Sequence, residues 1–234
     1  MGGRLLADDH ALVTGAARGI GHAIARAIEE EGGRVYAVDR EEFDLSLPGS
    51  ALSLAKTAIR KLKTISIFVH AASPPRKEEQ TALAVTESQW REMLEVQLNA
   101  GFLIAQALGR HMRDKRIAGR MLFVTSLHAD SPRNLPHYSA SKAAQTMVMK
   151  ELARALGPGG IRVNAIVPGA VPGAGFKGSP ALLDKIALKR AGKPEDIAPM
   201  AVAMLSEKYG AYMTGASVVV DGGLALYNWL EAAS

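Results

Sequence analysis

The sequence predicts an α/β protein built on a doubly wound parallel sheet, three layers deep with helices on both faces. Three observations carry that expectation. Short apolar runs such as Met121-Leu122-Phe123-Val124-Thr125 alternate along the chain with longer segments whose apolar residues recur at helical spacing. The first run, Ala11-Leu12-Val13, passes through a glycine-rich turn directly into a helix. No internal repeat or low-complexity stretch interrupts the alternation.

At 234 residues the chain fits one sizeable domain, read as residues 1–234 with every candidate site residue inside it. Hydrophobic residues make up 48% and charged residues 22%, the composition of an ordinary globular protein. Cysteine is absent, which excludes disulfides, thiolate chemistry and cysteine metal sites and fits a cytoplasmic setting. No metal site is expected. Charge comes too early at the start for a signal peptide, and no apolar run reaches membrane-spanning length. The net charge is +5, with basic clusters at Arg60-Lys61-Leu62-Lys63 and Arg110–Arg116. Both fall at expected helix ends, where cations complement the dipole, and no aromatic residues interleave with them. Neither a nucleic-acid nor a membrane partner is expected.

The first turn is Thr14-Gly15-Ala16-Ala17-Arg18-Gly19-Ile20-Gly21. The helix after it carries Ile20, Ala23, Ile24, Ala27 and Ile28 on one face and stops at Gly32-Gly33. Strand, glycine turn and helix form the Rossmann-type context of a dinucleotide phosphate site. Glycines let the backbone approach a pyrophosphate, and the helix N-terminus offers N–H donors. Gly15, Arg18, Gly19, Ile20 and Gly21 are therefore candidate cofactor residues. Asp39 closes the next strand, Arg34–Val38. A carboxylate there accepts both ribose hydroxyls of NAD and repels the 2′-phosphate of NADP. Arg18 and Arg40 pull the other way, since a guanidinium pairs well with phosphate. The carboxylate sits where the ribose must lie, so NAD is expected over NADP.

Only Arg40-Glu41-Glu42 separate Asp39 from Phe43-Asp44-Leu45. A parallel crossover needs a dozen or more residues. One edge strand and its crossover helix are thus expected to be missing or vestigial. Asp44 and Leu45 either lie under an adenine ring or belong to a polar connection. Pro48-Gly49 opens a helix through roughly Lys63, with Leu52, Ala55, Ile59 and Leu62 on one face. Ile65 to Val69 is a buried strand ending at His70-Ala71-Ala72-Ser73, where His70 reads as a hydrogen-bonded structural residue. Thr86 and Glu87 begin a long helix carrying Trp90, Met93, Leu94, Val96, Leu98, Phe102 and Leu103. Asn99 lies in this mostly apolar stretch. A buried amide requires partners, so it is structural or catalytic.

Ser126 follows the strand Met121–Thr125 and so sits at its C-terminal end, the edge where open parallel sheets bind ligands. A polar loop, with His128, Arg133 and His137 as residues that face either substrate or solvent, leads to Tyr138. Tyr138 and Lys142 are four apart and share one helix face. A phenol ordinarily ionises near pH 10, and an adjacent ammonium pulls that value down, giving an acid–base group for neutral pH. The helix continues to Leu156, and the strand Ile161–Val167 ends at Pro168-Gly169. The glycine- and proline-rich stretch 170–180, with Phe176 and Lys177, suits a mobile flap reaching to about 190, or simply a long loop. A helix near 181–187, another from Glu195 to about Leu205, and a last strand Ser217–Asp221 complete the chain.

The turn at 14–21, with Asn99, Ser126, Tyr138, Lys142, Pro168-Gly169 and Val220-Asp221-Gly222-Gly223, resembles the short-chain dehydrogenase/reductase family over about residues 9–225. The resemblance implies an NAD(P)-dependent oxidoreductase that interconverts a secondary alcohol and a ketone on a small molecule. It implies that Tyr138 is the general acid–base and that Lys142 lowers its pKa and holds the nicotinamide ribose. Ser126 would donate to the substrate oxygen, and Asn99 would hold a water of the proton relay. Ala71, Ala72, Pro168, Gly169 and Val171 would meet the cofactor. Assembly as a tetramer or dimer through the helices holding Asn99 and Tyr138 is implied as well. Three departures stand out. His70-Ala71-Ala72-Ser73 replaces the family's Asn-Asn-Ala-Gly, Gly173 replaces a threonine that grips the carboxamide, and the crossover helix is missing. Ser126-Leu127-His128 and Pro136-His137-Tyr138 look similar to sugar and polyol dehydrogenases, whereas Lys189–Asp196 resembles 3-oxoacyl-carrier-protein reductases. A cofactor-binding regulatory protein without turnover is a third reading, which the four-residue set argues against.

Overall fold

Along the first strand, β1 (His10–Thr14), Leu12 packs to one side of the sheet and Ala11 and Val13 to the other. This two-residue alternation, repeated in later strands, gives the sheet two apolar faces that both require helices. The computed structural model describes residues 4–172 and 180–226. The remaining strands are β2 (Arg34–Val38), β3 (Ile67–His70), β4 (Arg120–Val124), β5 (Arg162–Pro168) and β6 (Ser217–Val220). All neighbours run parallel in the order β2-β1-β3-β4-β5-β6. The direction of winding reverses between β1 and β3, which opens a crevice beyond their carboxyl ends.

Helices α1 (Gly19–Glu30) and α7 (Pro194–Leu205) cover one face, where Ile24, Ile28, Ile197 and Val202 meet Val13, Val69 and Val124. Helices α2 (Ser50–Leu62), α4 (Ala100–Asp114) and α5 (Pro136–Leu156) cover the other, where Leu54, Ile104 and Met149 meet Leu12, Phe68 and Phe123. Each fully buried side chain of this size contributes about 1.5–3 kcal/mol over an exposed one. Shorter helices α3 (Glu87–Leu94), α6 (Pro180–Asp184) and α8 (Glu207–Gly210) complete the described chain. On α2 the buried face is Ala51, Leu54, Ala55, Ala58 and Leu62, while Leu52 points outward, so the expected stripe is turned by about one residue.

The expected loss of a strand after β2 is what the structure shows. Residues 39–49 form turns, with the amides of Glu42 and Phe43 donating to the Asp39 carbonyl and that of Leu47 to the Asp44 carbonyl. Leu45 is buried and Phe43 packs on the core, so the connection folds inward instead of extending the sheet. Among the described residues no strand pairs with the outer edge of β2. Side chains guard that edge. The Tyr36 hydroxyl donates to Glu42 at 2.6 Å, and Lys61 lies 3.2 Å from Glu42 and 4.0 Å from the Tyr36 ring centroid. A charged, side-chain-covered edge resists pairing with another chain.

Two buried arginines close the opposite, amino-terminal edge of the sheet. Arg120, first in β4, holds Asp9 at 2.8 Å and donates to the Leu205 carbonyl at 2.9 Å. Arg162, first in β5, donates to the carbonyls of Met204 and Ser206 at the end of α7. Helix-end carbonyls have no intrahelical partner, and the guanidinium forks supply one.

Candidate active site

The crevice at the carboxyl edge is a cavity of about 1330 Å³. At one end lies the β1–α1 turn. Gly15 has a positive φ of 68°, and a Cβ there would meet the backbone of Ala71 and Ala72 at 2.7 Å, so this turn and the loop after β3 touch only because the residue is glycine. A Cβ at Gly21 would overlap the Gly15 carbonyl, which lets α1 start directly against the turn. Arg18, Gly19 and Ile20 line the same space. Asp39 ends β2 with one carboxylate oxygen accepting from the Ala17 amide at 2.9 Å and the other from the Arg40 amide at 2.6 Å. The expected ribose acceptor is therefore fixed against the glycine turn. Arg40 spans Asp44 at 3.1 Å and Glu92 at 3.4 Å, so two carboxylates already face its guanidinium. Hydrogen bonds from Ser46, then the charge of Arg40, hold the Asp44 carboxyl below its ordinary pKa. Asp44 and Leu45 both line the cavity.

At the other end, Ser126 follows β4 in extended backbone, and α5, opened by Pro136 in its first turn, presents Tyr138 and Lys142. Ser126, Tyr138 and Lys142 are 8%, 7% and 3% exposed and line the cavity together with Ala71, Ala72, Pro168, Gly169 and Val171. The Lys142 Nζ lies 5.6 Å from the Tyr138 ring centroid. It donates to the Val124 carbonyl at 2.7 Å and to Gln145 Oε1 at 3.1 Å. Burial, and secondarily the charge of Arg76, bring its pKa down to about 7. Ser126 Oγ accepts from the His128 amide at 3.3 Å, and the His128 ring meets Tyr138 edge-on at 5.0 Å.

Asn99 is the one member of the expected Asn99, Ser126, Tyr138 and Lys142 set that the structure leaves out of the cavity. It is exposed, and its Nδ2 donates to Glu95 at 2.6 Å. It ends a π-helical turn, Glu95–Asn99, between α3 and α4 where a single regular helix was expected. The wider turn rotates every side chain after it. Gln97, fully buried, takes the inward position instead. Its Nε2 donates to Ser73 Oγ at 2.6 Å, its Oε1 accepts from Ser141, and its backbone carbonyl accepts from Gln145 Nε2 at 3.0 Å.

His70 explains how the chain tolerates its departure from Asn-Asn-Ala-Gly. The ring bridges Thr14 Oγ1 at 2.9 Å and the Gln97 carbonyl at 3.1 Å, tying β1, β3 and the π turn together. Burial, reinforced by the charge of Lys142, depresses its pKa to about 4, so it is neutral. A Cβ at Gly101 would lie 2.7 Å from the ring, so the larger side chain is accommodated by a missing one opposite. Of the loop residues, His128 and Arg133 line the cavity. His137 does not. It is fully buried, and neither ring nitrogen has a hydrogen-bond partner among the described residues. Gly173, Phe176 and Lys177, and with them residues 173–179 of the expected flap, lie outside the described residues.

Sequence reasoning missed Gln97, Gln145 and Arg76. The first two had a signal: Gln97 stands four before Gly101 beside the buried Val96–Ala100 stripe, and Gln145 stands four after Ser141 on the Lys142 face. Arg76 sits in an irregular loop and had none. The observed cleft fits a nicotinamide dinucleotide. The Cβ-free wall at Gly15 and Gly21, the N-terminus of α1, the Asp39 carboxylate and the Tyr138–Lys142 pair follow one another along a single cavity.

This combination of sheet, turn and tyrosine–lysine pair defines a dinucleotide-binding oxidoreductase fold. The chain belongs to the short-chain dehydrogenase/reductase family. The family described as short chain dehydrogenase matches residues 9–52, and that described as Enoyl-(Acyl carrier protein) reductase matches residues 41–225. Glucose 1-dehydrogenase 2 of Bacillus subtilis is 31% identical over 249 residues, covering 93% of this chain and 95% of that protein. L-rhamnose 1-dehydrogenase (NAD(P)(+)) of Azotobacter vinelandii is 32% identical, covering 94% and 98%. The crystal structure of 3-ketoacyl-(acyl-carrier-protein) reductase from Brucella melitensis, complexed with NADH, superposes with a TM-score of 0.87 at 28% identity, covering 94% and 99%.

Proposed function

We propose that the protein is an NAD-dependent oxidoreductase that interconverts a secondary alcohol and a ketone on a small molecule. The observation that carries this is the convergence of Ser126, Tyr138 and Lys142, all buried, on one cavity with the glycine turn. A bound nicotinamide dinucleotide supplies or accepts the hydride. The protein's own groups handle the oxygen. Tyr138 gives a proton to the substrate oxygen or takes it away, and Ser126 donates a hydrogen bond to the same atom as charge develops. Lys142 places a cationic or donor group behind the phenol. Its Nζ is held by the Val124 carbonyl and Gln145, and Gln145 is held in turn by Gln97. A carboxamide fixes position without passing protons as a chain of waters does. The lysine is thus set by protein atoms, and Asn99 is not needed for that task.

NAD over NADP is supported by Asp39 at the rim and by the carboxylates that already engage Arg40. Fixing residues for the cofactor are Gly15, Arg18, Gly19, Ile20, Gly21, Asp39, Asp44, Leu45, Ala71, Ala72, Pro168, Gly169 and Val171, with Tyr138 and Lys142 at the reactive end. Sugars and polyols are the first substrates to examine, given the relatives' names. Assembly as a dimer or tetramer through α4 and α5 is supported by Phe102 and Leu103, only partly buried, and by exposed Met147. The test is steady-state turnover with NAD and NADP over a panel of sugars, polyols and cyclic alcohols, beside Tyr138→Phe. Loss of turnover by roughly 10²-fold or more with NADH binding retained is expected. Unchanged turnover in the variant removes Tyr138 from its role.

A further inference from the structure

Among the described residues, one guanidinium at the reacting end of the cleft has no carboxylate paired with it. Arg76 follows Pro74-Pro75 in the loop after β3 and is half-buried. Its guanidinium carbon lies 4.2 Å from the centroid of the Tyr138 ring, and it lines the same cavity as Ser126 and His128. Among the described residues it makes no ion pair; the nearby pairs are Lys77 with Glu79 and Arg40 with Asp44 and Glu92. Glu78 also lines the cavity, but it is exposed and does not pair with Arg76. The other charged groups at this end have the same sign. Arg133 lines the cavity and makes no ion pair among the described residues, and Lys142 is buried behind Tyr138. Burial first, and then the charges of Arg133, Arg76 and Lys142, hold His128 down near pKa 4.

A guanidinium drawn partly out of water is costly to leave unpaired. Contact with a ring face engages its charge but leaves its N–H donors free, and those donors form a fork matched to two oxygens of one anion. Resting on the reading above, we infer that the substrate carries a carboxylate or phosphate that Arg76 binds while Tyr138 and Ser126 engage its alcohol or carbonyl oxygen. Since Arg76 contacts the Tyr138 ring itself, the anionic group stands only a few bonds from the reacting carbon. A small hydroxy or oxo acid, or a phosphorylated hydroxy ketone, fits this end; an uncharged sugar leaves Arg76 without a partner. Arg133 supplies a second cation toward the mouth.

The experiment compares matched pairs that differ in charge: acetoacetate with its ethyl ester, gluconate with glucitol, and dihydroxyacetone phosphate with dihydroxyacetone. kcat/KM is measured for each in wild type, Arg76→Ala and Arg76→Lys. Where a pair gives no turnover, calorimetry of both members against the enzyme–NADH complex replaces it. A charged member favoured by about tenfold or more is expected, as a charge-assisted hydrogen bond provides. Arg76→Ala should bring that preference to near unity, and Arg76→Lys should keep part of it. The carboxylate and phosphate pairs tell the two anions apart. Equal use of charged and neutral members overturns the inference. So does an Arg76→Ala variant that slows both alike and moves the pH profile, because Arg76 then serves Tyr138 and not a substrate. Fluorescence titration with NADH runs alongside: failure to bind NADH strikes the oxidoreductase reading, whereas normal binding without charge preference strikes this inference alone.

Discussion

The Gln145 carboxamide joins the Lys142 ammonium to the neighbouring helix: its Oε1 accepts from Lys142 Nζ at 3.1 Å and its Nε2 donates to the Gln97 carbonyl at 3.0 Å. Lys142 keeps only the Val124 carbonyl when this link is removed. Gln145→Leu, close in volume, should lower kcat about tenfold, the worth of one hydrogen bond to a charged group. NADH affinity should change less than kcat, and Gln145→Glu should move the pH profile of kcat upward as a carboxylate favours the ammonium. A Gln145→Leu enzyme with wild-type kcat and pH profile shows that the link is not used.

Acid should weaken the fold through His70. Its pKa is depressed to about 4 in the fold against an ordinary 6.5. As pH falls below 6.5 the unfolded chain takes up the proton first, so stability is present above that pH and declines toward pH 4, where the loss is complete. The contribution is at most about 3 kcal/mol. His128, depressed to about 4 as well, adds to the same window. Melting curves between pH 4 and 7 should therefore show a steep decline in wild type and a shallower one in His70→Asn. Lys142 acts in the alkaline range. With its folded pKa near 7 and its ordinary value 10.5, stability rises between those limits because only the unfolded chain is protonated there.

Asp39 should govern the choice of dinucleotide. With its two oxygens held by the amides of Ala17 and Arg40, it places fixed negative charge at the end of β2. Asp39→Ser should raise kcat/KM with NADP and lower it with NAD, changing their ratio by about tenfold or more, since a repelled phosphate becomes a tolerated one. An unchanged ratio shows that Arg18 and Arg40 set the preference.

Arg120 should matter for stability and not for catalysis. It is nine-tenths buried and pairs with Asp9 at 2.8 Å on the far edge of the sheet. Arg120→Ala strands a buried carboxylate and frees the Leu205 carbonyl, which should cost about 3–5 kcal/mol. For a chain of this length that lowers Tm by roughly 10 °C. At a temperature where the variant is folded, KM for NAD should match wild type.

The parts of the fold governed by local pattern were legible. The Ala11-Leu12-Val13 run, the glycines at 15, 19 and 21, and the spacing of Tyr138 and Lys142 each depend on neighbours within a few residues. The three-residue gap after Asp39 was enough to exclude a crossover, because chain length alone forbids it. Asn99 was placed in the site by the family resemblance and not by helical spacing, which left it equally open to a structural role. In the structure it ends the π turn on the exposed side, while Gln97 in the same turn is the buried amide. Leu52 failed because an apolar residue on a helix is not obliged to be buried. Arg76 lies in a loop whose path depends on contacts made by Tyr138, some sixty residues on, and no local spacing reports that.

The short link from β2 to α2 also bears on how a dinucleotide comes and goes. On the proposed placement its purine end would meet a tight bend beside one solvated arginine strung between Asp44 and Glu92. Pairs at such a surface are weak and yield to salt. On that placement, grip would rest on the diphosphate, the ribose at Asp39 and the reactive ring, while the purine itself would be a loose tether. A cofactor held in that fashion peels away from its purine side first, and its release should quicken as ionic strength rises.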